Sequence, residues 1–396
     1  MQSFGGPPLG LSPSASGGAL GNRGTGAPVA LLAPLTGANA ERGQVLQQAA
    51  ELALAEPGSP PLDVRDTGST PAGAAAAAQA ALAHGDRLIL GPLTAGETAA
   101  VAGPARAAGV PVLAFTNDAS VAQPGVWTLG ITPAQQVRRL VGAVTAQGKN
   151  RIAALLPPDA FGQAMAAALR RAAADASLPP PEIHIHDGTN AGIQRTLRDL
   201  SGYATRRGPI DAKIKEARAK HTAEGRQEAA ELAKTPIPPP PFDVLLMADT
   251  GEKLAWAASF LGYYDVEAPA VQIVGPALWA NPVMRGGAGL NGAWYAAPDP
   301  NVRATFAADY ESRFGGQPSQ LADFAYDAGA IARVLAVTDG YSAAALTRSQ
   351  GFSGVDGVFG LAPDGTVRRG LAVFAIHHGG PSVVEPAPTG LGGPGI

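Results

Sequence analysis

Six histidines and 32 acidic residues are the groups from which this chain could build a metal site or an acid–base pair. His184 and His186 alternate, so in an extended segment they share one face and could in principle ligate an ion. No third ligand stands near them in sequence, which favours exposed strand histidines instead. His377 and His378 point to opposite faces if extended, which speaks against a paired role. Asp63, Asp66, Asp243 and Asp249 fall at the ends of expected strands, where α/β enzymes often place carboxylates. None has a His, a Lys or a second carboxylate in a recognisable pattern, so they read as caps and turn formers. The chain has no cysteine, which excludes disulfides, thiolate metal sites and Cys nucleophiles. No catalytic residue, metal site or cofactor is assigned.

Gly287-Ala-Gly-Leu-Asn-Gly292 fits the G-x-G-x-x-G pattern. A dinucleotide site needs that pattern between a strand and a helix N-terminus. Here it follows no clear strand and leads into an extended Ala293–Ala297, so it reads as a loop. The informative positions are the loops after strands, because ligands of α/β sheets bind outside the carboxyl ends of the strands. They read Thr36-Gly-Ala-Asn39, Gly91-Pro-Leu-Thr94, Phe115-Thr-Asn-Asp118, Asp159-Ala-Phe-Gly162, Asp249-Thr-Gly251 and Gly275-Pro-Ala-Leu-Trp279. Hydroxyls, amides and aromatics dominate them, which suits a polar solute or a protein segment held between two lobes.

The elements that present these loops alternate regularly. Short apolar runs at 29–32, 62–65, 87–90, 110–115 and 126–129 are separated by helical patterns at 40–55, 71–84 and 95–108. A second series runs through a helix at 134–147, strands at 151–156, 182–186, 243–247 and 271–274, and helices at 161–174, 191–203 and 251–263. Strands alternating with helices of ten to sixteen residues mean βαβ units and parallel sheets. Between them, 206–241 is a charged helix followed by a proline spacer, with Asp211/Lys215 and Glu216/Lys220 at helical pairing distance.

Composition sets the class. Of 396 residues, 46% are hydrophobic and 15% charged, with a formal charge of −3. No electrostatic attraction for nucleic acid follows, and no apolar run reaches the ~20 residues that span a bilayer. Residues 1–26 are a Gly/Pro/Ser tether and 381–396 a loose tail of the same composition.

The order VALLAPLTGANAERG, LDVRDTGSTP, RLILGPLTAGET, GVPVLAFTNDASV and RIAALLPPDAFGQA resembles the periplasmic solute-binding proteins of the leucine/isoleucine/valine type. So does GFSGVDGVFGLAPDGTVRRGLAVFAIHHGG, with its strand, D-G turn and second strand. Within that superfamily the chain is most similar to the penicillin-binding protein activator lipoproteins. The resemblance implies an α/β type I periplasmic-binding-protein-like fold, with two Rossmann-like lobes and a three-crossing hinge. Residues 27–130 and 298–349 would form the first lobe, and 131–297 with 350–380 the second.

The resemblance also suggests a ligand-facing set of Thr94, Thr116, Asn117, Arg42, Phe161, Thr250 and Trp279. Amino-acid binders carry an acid for the ammonium group where Gly275-Pro-Ala277 has alanine, and a tyrosine where Phe161 stands. A buried ammonium without a carboxylate is severely penalised. The expectation is therefore a non-enzymatic envelope protein that regulates peptidoglycan synthesis by contacting a penicillin-binding protein synthase. The alternative is the capture component of an ABC permease, holding a small polar solute other than a branched-chain amino acid in its interlobe cleft. Either would work in the periplasm, and the tether suggests an exported lipoprotein whose only membrane contact is a lipid anchor lost from this chain.

Overall fold

Thr70, Thr94 and Thr132 begin helices because each hydroxyl accepts an N–H of the first turn, and Pro71 and Pro133 follow where a missing N–H costs nothing. Such local signals build most of the architecture. The computed structural model describes residues 7–11, 26–338 and 340–392. A two-residue strand, β1 (Leu9–Gly10), precedes a parallel sheet of β2 (Val29–Ala33), β3 (Leu62–Asp66), β4 (Ile89–Leu90), β5 (Val112–Ala114) and β6 (Val126–Thr128). Their order is β3-β2-β4-β5-β6, with α1 (Ala40–Ala53), α2 (Pro71–His84) and α3 (Ala95–Ala108) as crossovers. β2 is buried at every position, as a central strand covered on both faces must be.

The chain then passes through α4 (Pro133–Ala146) into a second sheet. Its parallel part is β7 (Ile152–Leu156), β8 (Glu182–Ile185), β9 (Val244–Met247), β10 (Gln272–Gly275) and β11 (Trp294–Ala297). The helices between them are α5 (Ala160–Asp175), α6 (Asn190–Leu200), α7 (Tyr203–Ala219), α8 (Ala223–Ala233), α9 (Gly251–Leu261) and the short α10 (Pro282–Arg285). Next come α11 (Pro300–Phe314), α12 (Gln320–Ala336) and the single turn α13 (Ala343–Leu346). α12 returns to pack on α1 of the first sheet, where a Cβ on Gly329 would lie 2.8 Å from that of Ala53.

β12 (Phe352–Gly354), β13 (Gly357–Leu361) and β14 (Val367–Arg369) form a separate antiparallel sheet with β1 at its edge. β15 (Ala372–Ala375) and β16 (Ser382–Glu385) then complete the second sheet in the order β16-β15-β11-β10-β9-β7-β8. Among the described residues no helix is long and apolar enough to cross a membrane.

Four expected segments take the following form. Of 350–380, assigned to the second lobe, 352–369 makes the third sheet and 372–375 enters the second. The tether expected over 1–26 is docked where it is described, since Leu9 and Leu11 donate their N–H groups to Gly351 and Ser353 carbonyls and Leu11 is buried; residues 1–6 and 12–25 lie outside the described residues. The tail expected over 381–396 contributes β16, and Glu385 reaches Arg139 of α4 at 2.9 Å; 393–396 lie outside the described residues. The charged helix at 206–241 is two helices, α7 and α8, which bury Ile214, Ala217 and Ala229 between them. Its ion pairs are Arg207–Asp211, Lys220–Glu228 and Lys234–Glu231, not those read from spacing.

At the junction, Asp323 and Asp327 of α12 are buried beside Asp356 and Arg369, each 1–2% exposed. Arg303 Nε donates to Asp323 at 2.7 Å, and Asp327 accepts the Val355 N–H at 2.9 Å. Burial, with the Asp356 charge beside it, pushes Asp323 up to about 8, and burial pushes Asp327 up to about 7. The sign follows. The unfolded chain releases these protons near 3.8, while the folded chain holds them to about 7 and 8. Their contribution to stability is complete below the unfolded value and falls as pH rises through the folded ones, at up to ~1.4 kcal/mol per pH unit for each proton. Chemical denaturation as a function of pH should show stability declining over that window. The double variant Asp323→Asn/Asp327→Asn should flatten the profile.

Candidate functional site

The carboxyl edges of both parallel sheets border the first crossing, and the N-terminal turn of α4 touches both. Gly130, just before α4, donates its N–H to the Thr116 carbonyl after β5 at 3.1 Å. Gln136 in α4 accepts the Ala277 N–H after β10 at 2.7 Å. Two of the loops singled out from sequence, 115–118 and 275–279, therefore meet the first crossing, and the polar groups of the strand-end loops have partners of their own.

On the first sheet they bind one another. Asp66 accepts N–H groups from Leu35, Thr36 and Gly68 at 2.8, 3.1 and 2.8 Å, and the Thr36 hydroxyl at 2.6 Å. Desolvation opposes ionisation of Asp66, but these hydrogen bonds outweigh it and hold the carboxyl below its ordinary value. Thr94 is fully engaged as well. Its hydroxyl accepts the Glu97 N–H at 3.3 Å and donates to Glu97 Oε2 at 2.7 Å, while Glu97 Oε1 takes the Thr67 hydroxyl at 2.5 Å. Glu97 is completely buried, so the N-terminus of α3 is closed by the chain's own carboxylate. Thr116 is buried and accepts the Asp118 N–H at 3.1 Å. Asn117 and Arg42 are exposed, and Arg42 donates to Asn39 at 3.1 Å.

The second sheet's edge is packed rather than open. Trp279, expected to line a cleft, has no exposure and belongs to the lobe's hydrophobic core. Its ring lies so close to Gly275 that a Cβ there would stand 2.4 Å away, and its Nε1–H donates to the Asp249 carbonyl at 3.0 Å. Arg285 holds the Trp279 carbonyl at 2.6 Å. Phe161, half-buried in the first turn of α5, packs against the main core, and Thr250 precedes α9 without capping it through its side chain. Thr94, Thr116, Phe161, Thr250 and Trp279 are thus all at strand carboxyl ends, but the hydroxyls of the first two are engaged and Trp279 faces inward.

Three features escaped the sequence. His186, read as exposed, is 2% exposed: its Nε2 lies 2.9 Å from Asp249 Oδ2, and its Nδ1 accepts the Gly188 N–H at 3.0 Å. That second bond assigns the ring proton to Nε2. Asp249 is therefore a buried partner of His186, not a turn former. Gln136 carried no motif at all. Asp323 and Asp327 sit four apart within an apolar helical run, a signal that a reading of α12 would have supplied. His184, by contrast, is only half-buried, beside Glu182 at 3.1 Å, and 287–292 is a loop leading into β11. Asp243 pairs with Arg151.

A family model described as periplasmic binding protein matches residues 27–226. No protein of curated function matches the sequence. Among solved structures, a Rhodospirillum rubrum protein provisionally assigned to branched-chain amino acid ABC transport aligns at 20% identity and TM-score 0.66, over 91% of this chain and all of that one. The C-domain of Haemophilus influenzae LpoA, described as a regulator of PBP1A, aligns at 16% identity and TM-score 0.63, over 90% of this chain and 100% of the domain. Of full-length LpoA the chain covers 59%. An ABC transporter substrate-binding protein of Sphaerobacter thermophilus aligns at 16% identity and TM-score 0.60, over 91% and 96%. At these identities the likeness establishes the fold.

Replacing Trp279 by alanine should destabilise the chain by ~3–5 kcal/mol through the cavity left in the second lobe. Thr94→Ala should cost about 1 kcal/mol as a lost cap. Urea denaturation of both variants checks the contrast, and a Trp279→Ala effect no larger than that of Thr94→Ala would mean the indole is not a core element.

Proposed function

The chain belongs to the periplasmic binding protein family, and on that premise we propose that it is a non-enzymatic regulator acting through protein contacts rather than a solute carrier. Its fold is the two-lobed α/β fold that ABC substrate-binding proteins share with LpoA. The observation that carries the reading is the state of the two strand edges: Thr36, Thr94 and Thr116 have their hydroxyls engaged internally, the Ala277 N–H is taken by Gln136, and Trp279 fills the second lobe's edge. Ala277 and Phe161 also leave an amino-acid ligand without an acid and without a phenol. The partner class in this reading is a penicillin-binding peptidoglycan synthase, the class that LpoA's description names. A periplasmic location goes with the family; a lipid anchor is the finer part of the proposal, and the codons upstream of Gln2 in the native gene decide it.

The competing reading, capture of a small polar solute for an ABC permease, draws on the near-complete alignment with substrate-binding proteins. A thermal-shift screen with leucine, other amino acids, aromatic acids, sugars and muropeptides separates the two. A ligand at 100 times its dissociation constant should stabilise by ~2.7 kcal/mol. The expected outcome is no shift with any free amino acid, together with a rise in glycan polymerisation when the protein is added to its cognate synthase. Tight calorimetric binding of leucine would overturn the proposal in favour of solute capture.

A further inference from the structure

His84 ends α2, Gly85 turns the chain at φ 97°, and Asp86 follows, so a left-handed residue brings the two side chains to one side. Asp63 of β3 stands opposite them. His84 Nδ1 lies 3.2 Å from Asp86 Oδ1 and 3.5 Å from Asp63 Oδ2. Donors on a tetrahedral zinc with bonds of ~2.05 Å stand ~3.3 Å apart. The three ligand atoms all lie within 4.8 Å of one another, and among the described residues no other group of His and carboxylates meets that condition.

The second observation is Asp86 itself. Its side chain has no exposure, its Oδ2 has no hydrogen-bond partner, and it faces another carboxylate. Asp86 Oδ1 meets His84, but Oδ2, buried beside a second acidic group, has no partner, and a cation there would supply one. His84 is half-exposed, at 52%, which leaves an entry path from solvent.

We propose that Asp63, His84 and Asp86 form a binding site for a divalent transition ion of the zinc class. One imidazole and two carboxylates give a borderline donor set that favours zinc over magnesium or calcium, and three protein ligands leave a position for water. The site lies away from the strand carboxyl edges. Asp63 pairs with Ala30 near the start of β3, about 10 Å along the strand from the Asp66 loop. Its role is to pin β3 to the turn between α2 and β4, independently of any ligand or partner at the hinge. One side chain competes for it: Arg65 binds Asp63 Oδ2 through Nε and Nη2, both at 2.6 Å, and is 24% exposed, so it can swing into solvent when the ion enters.

Calorimetric titration of zinc chloride into the chelator-treated full chain at neutral pH tests this. The expected result is one saturable site, weakened at least about tenfold by His84→Ala and by Asp63→Asn. Arg65→Gln, by removing the competing cation, should tighten it. The melting temperature should rise with zinc in the wild type and not in His84→Ala, a change at a half-exposed position that leaves the fold intact. Absence of saturable binding overturns the proposal. So does binding that survives His84→Ala but is lost in His377→Ala/His378→Ala, since those exposed histidines would then be the ligands.

Discussion

The guanidinium of Arg369 is the interaction on which the junction between the lobes depends. It is buried, with Nη2 donating to the Leu129 carbonyl at 2.9 Å, and it lies over the rings of Phe359 and Phe324 at 5.0 and 5.8 Å. Asp356 stands 3.9 Å away, with Asp323 and Asp327 of α12 close behind. Arg369 and Arg303 offset part of the cost of burying these three acidic groups, and the protons that burial keeps on Asp323 and Asp327 offset more of it. One side chain thus joins the first crossing, the third sheet and the helix that packs back on α1. α4 repeats the device with other donors: Gln135 binds the Val367 carbonyl, and Arg139 binds those of Leu371 and Pro386. The crossings are held mainly through main-chain carbonyls, which fixes their path whatever side chains they carry.

This explains which parts of the fold were legible in sequence. The alternation of strands and helices is a local pattern, and capping threonines and left-handed glycines sit within a few residues of what they terminate. The third sheet is not local. β1 meets β12 across more than three hundred residues, and nothing in a Gly/Pro/Ser segment announces that Leu9 and Leu11 have a place to dock. The same holds for β16, whose composition matched a loose tail.

The site was legible in position but not in state. The loops after strands were found because topology puts them at the carboxyl edges. Whether a hydroxyl there is free depends on a partner in another loop, as with Thr94 and Thr67 joined through Glu97. His186 was misread for the same reason: alternation with His184 describes the strand, whereas its burial is decided by Asp249, 63 residues later. Aromatics suit ligands, which in sequence favours a cleft position for Trp279, yet Gly275 gives its ring a bed inside the lobe. Asp323 and Asp327 find their charged neighbours only in the fold, where Arg303 of α11 and Arg369 of β14 are brought against them.

The energetics of recognition follow from that internal satisfaction. A hydrogen bond made to a solute yields a net ~0.5–1.5 kcal/mol, whereas a buried partner left orphaned costs about 1–3 kcal/mol. A polar solute that used the Thr94 hydroxyl or the Ala277 N–H would first have to break its bond to Glu97 or Gln136, so those bonds begin from a deficit. Surface contacts carry no such cost. Beside the packed edge, Leu278, next to Trp279 in sequence, and Val283 of α10 remain 42% and 80% exposed, and Arg285 of the same helix holds the Trp279 carbonyl. On the same lobe Tyr263 is 65% exposed, edge-on to Tyr264. Exposed apolar and aromatic side chains on a rigid backbone gain from burial against another protein without losing an existing hydrogen bond. In the proposed reading these exposed side chains, rather than the strand edges, supply the contact surface.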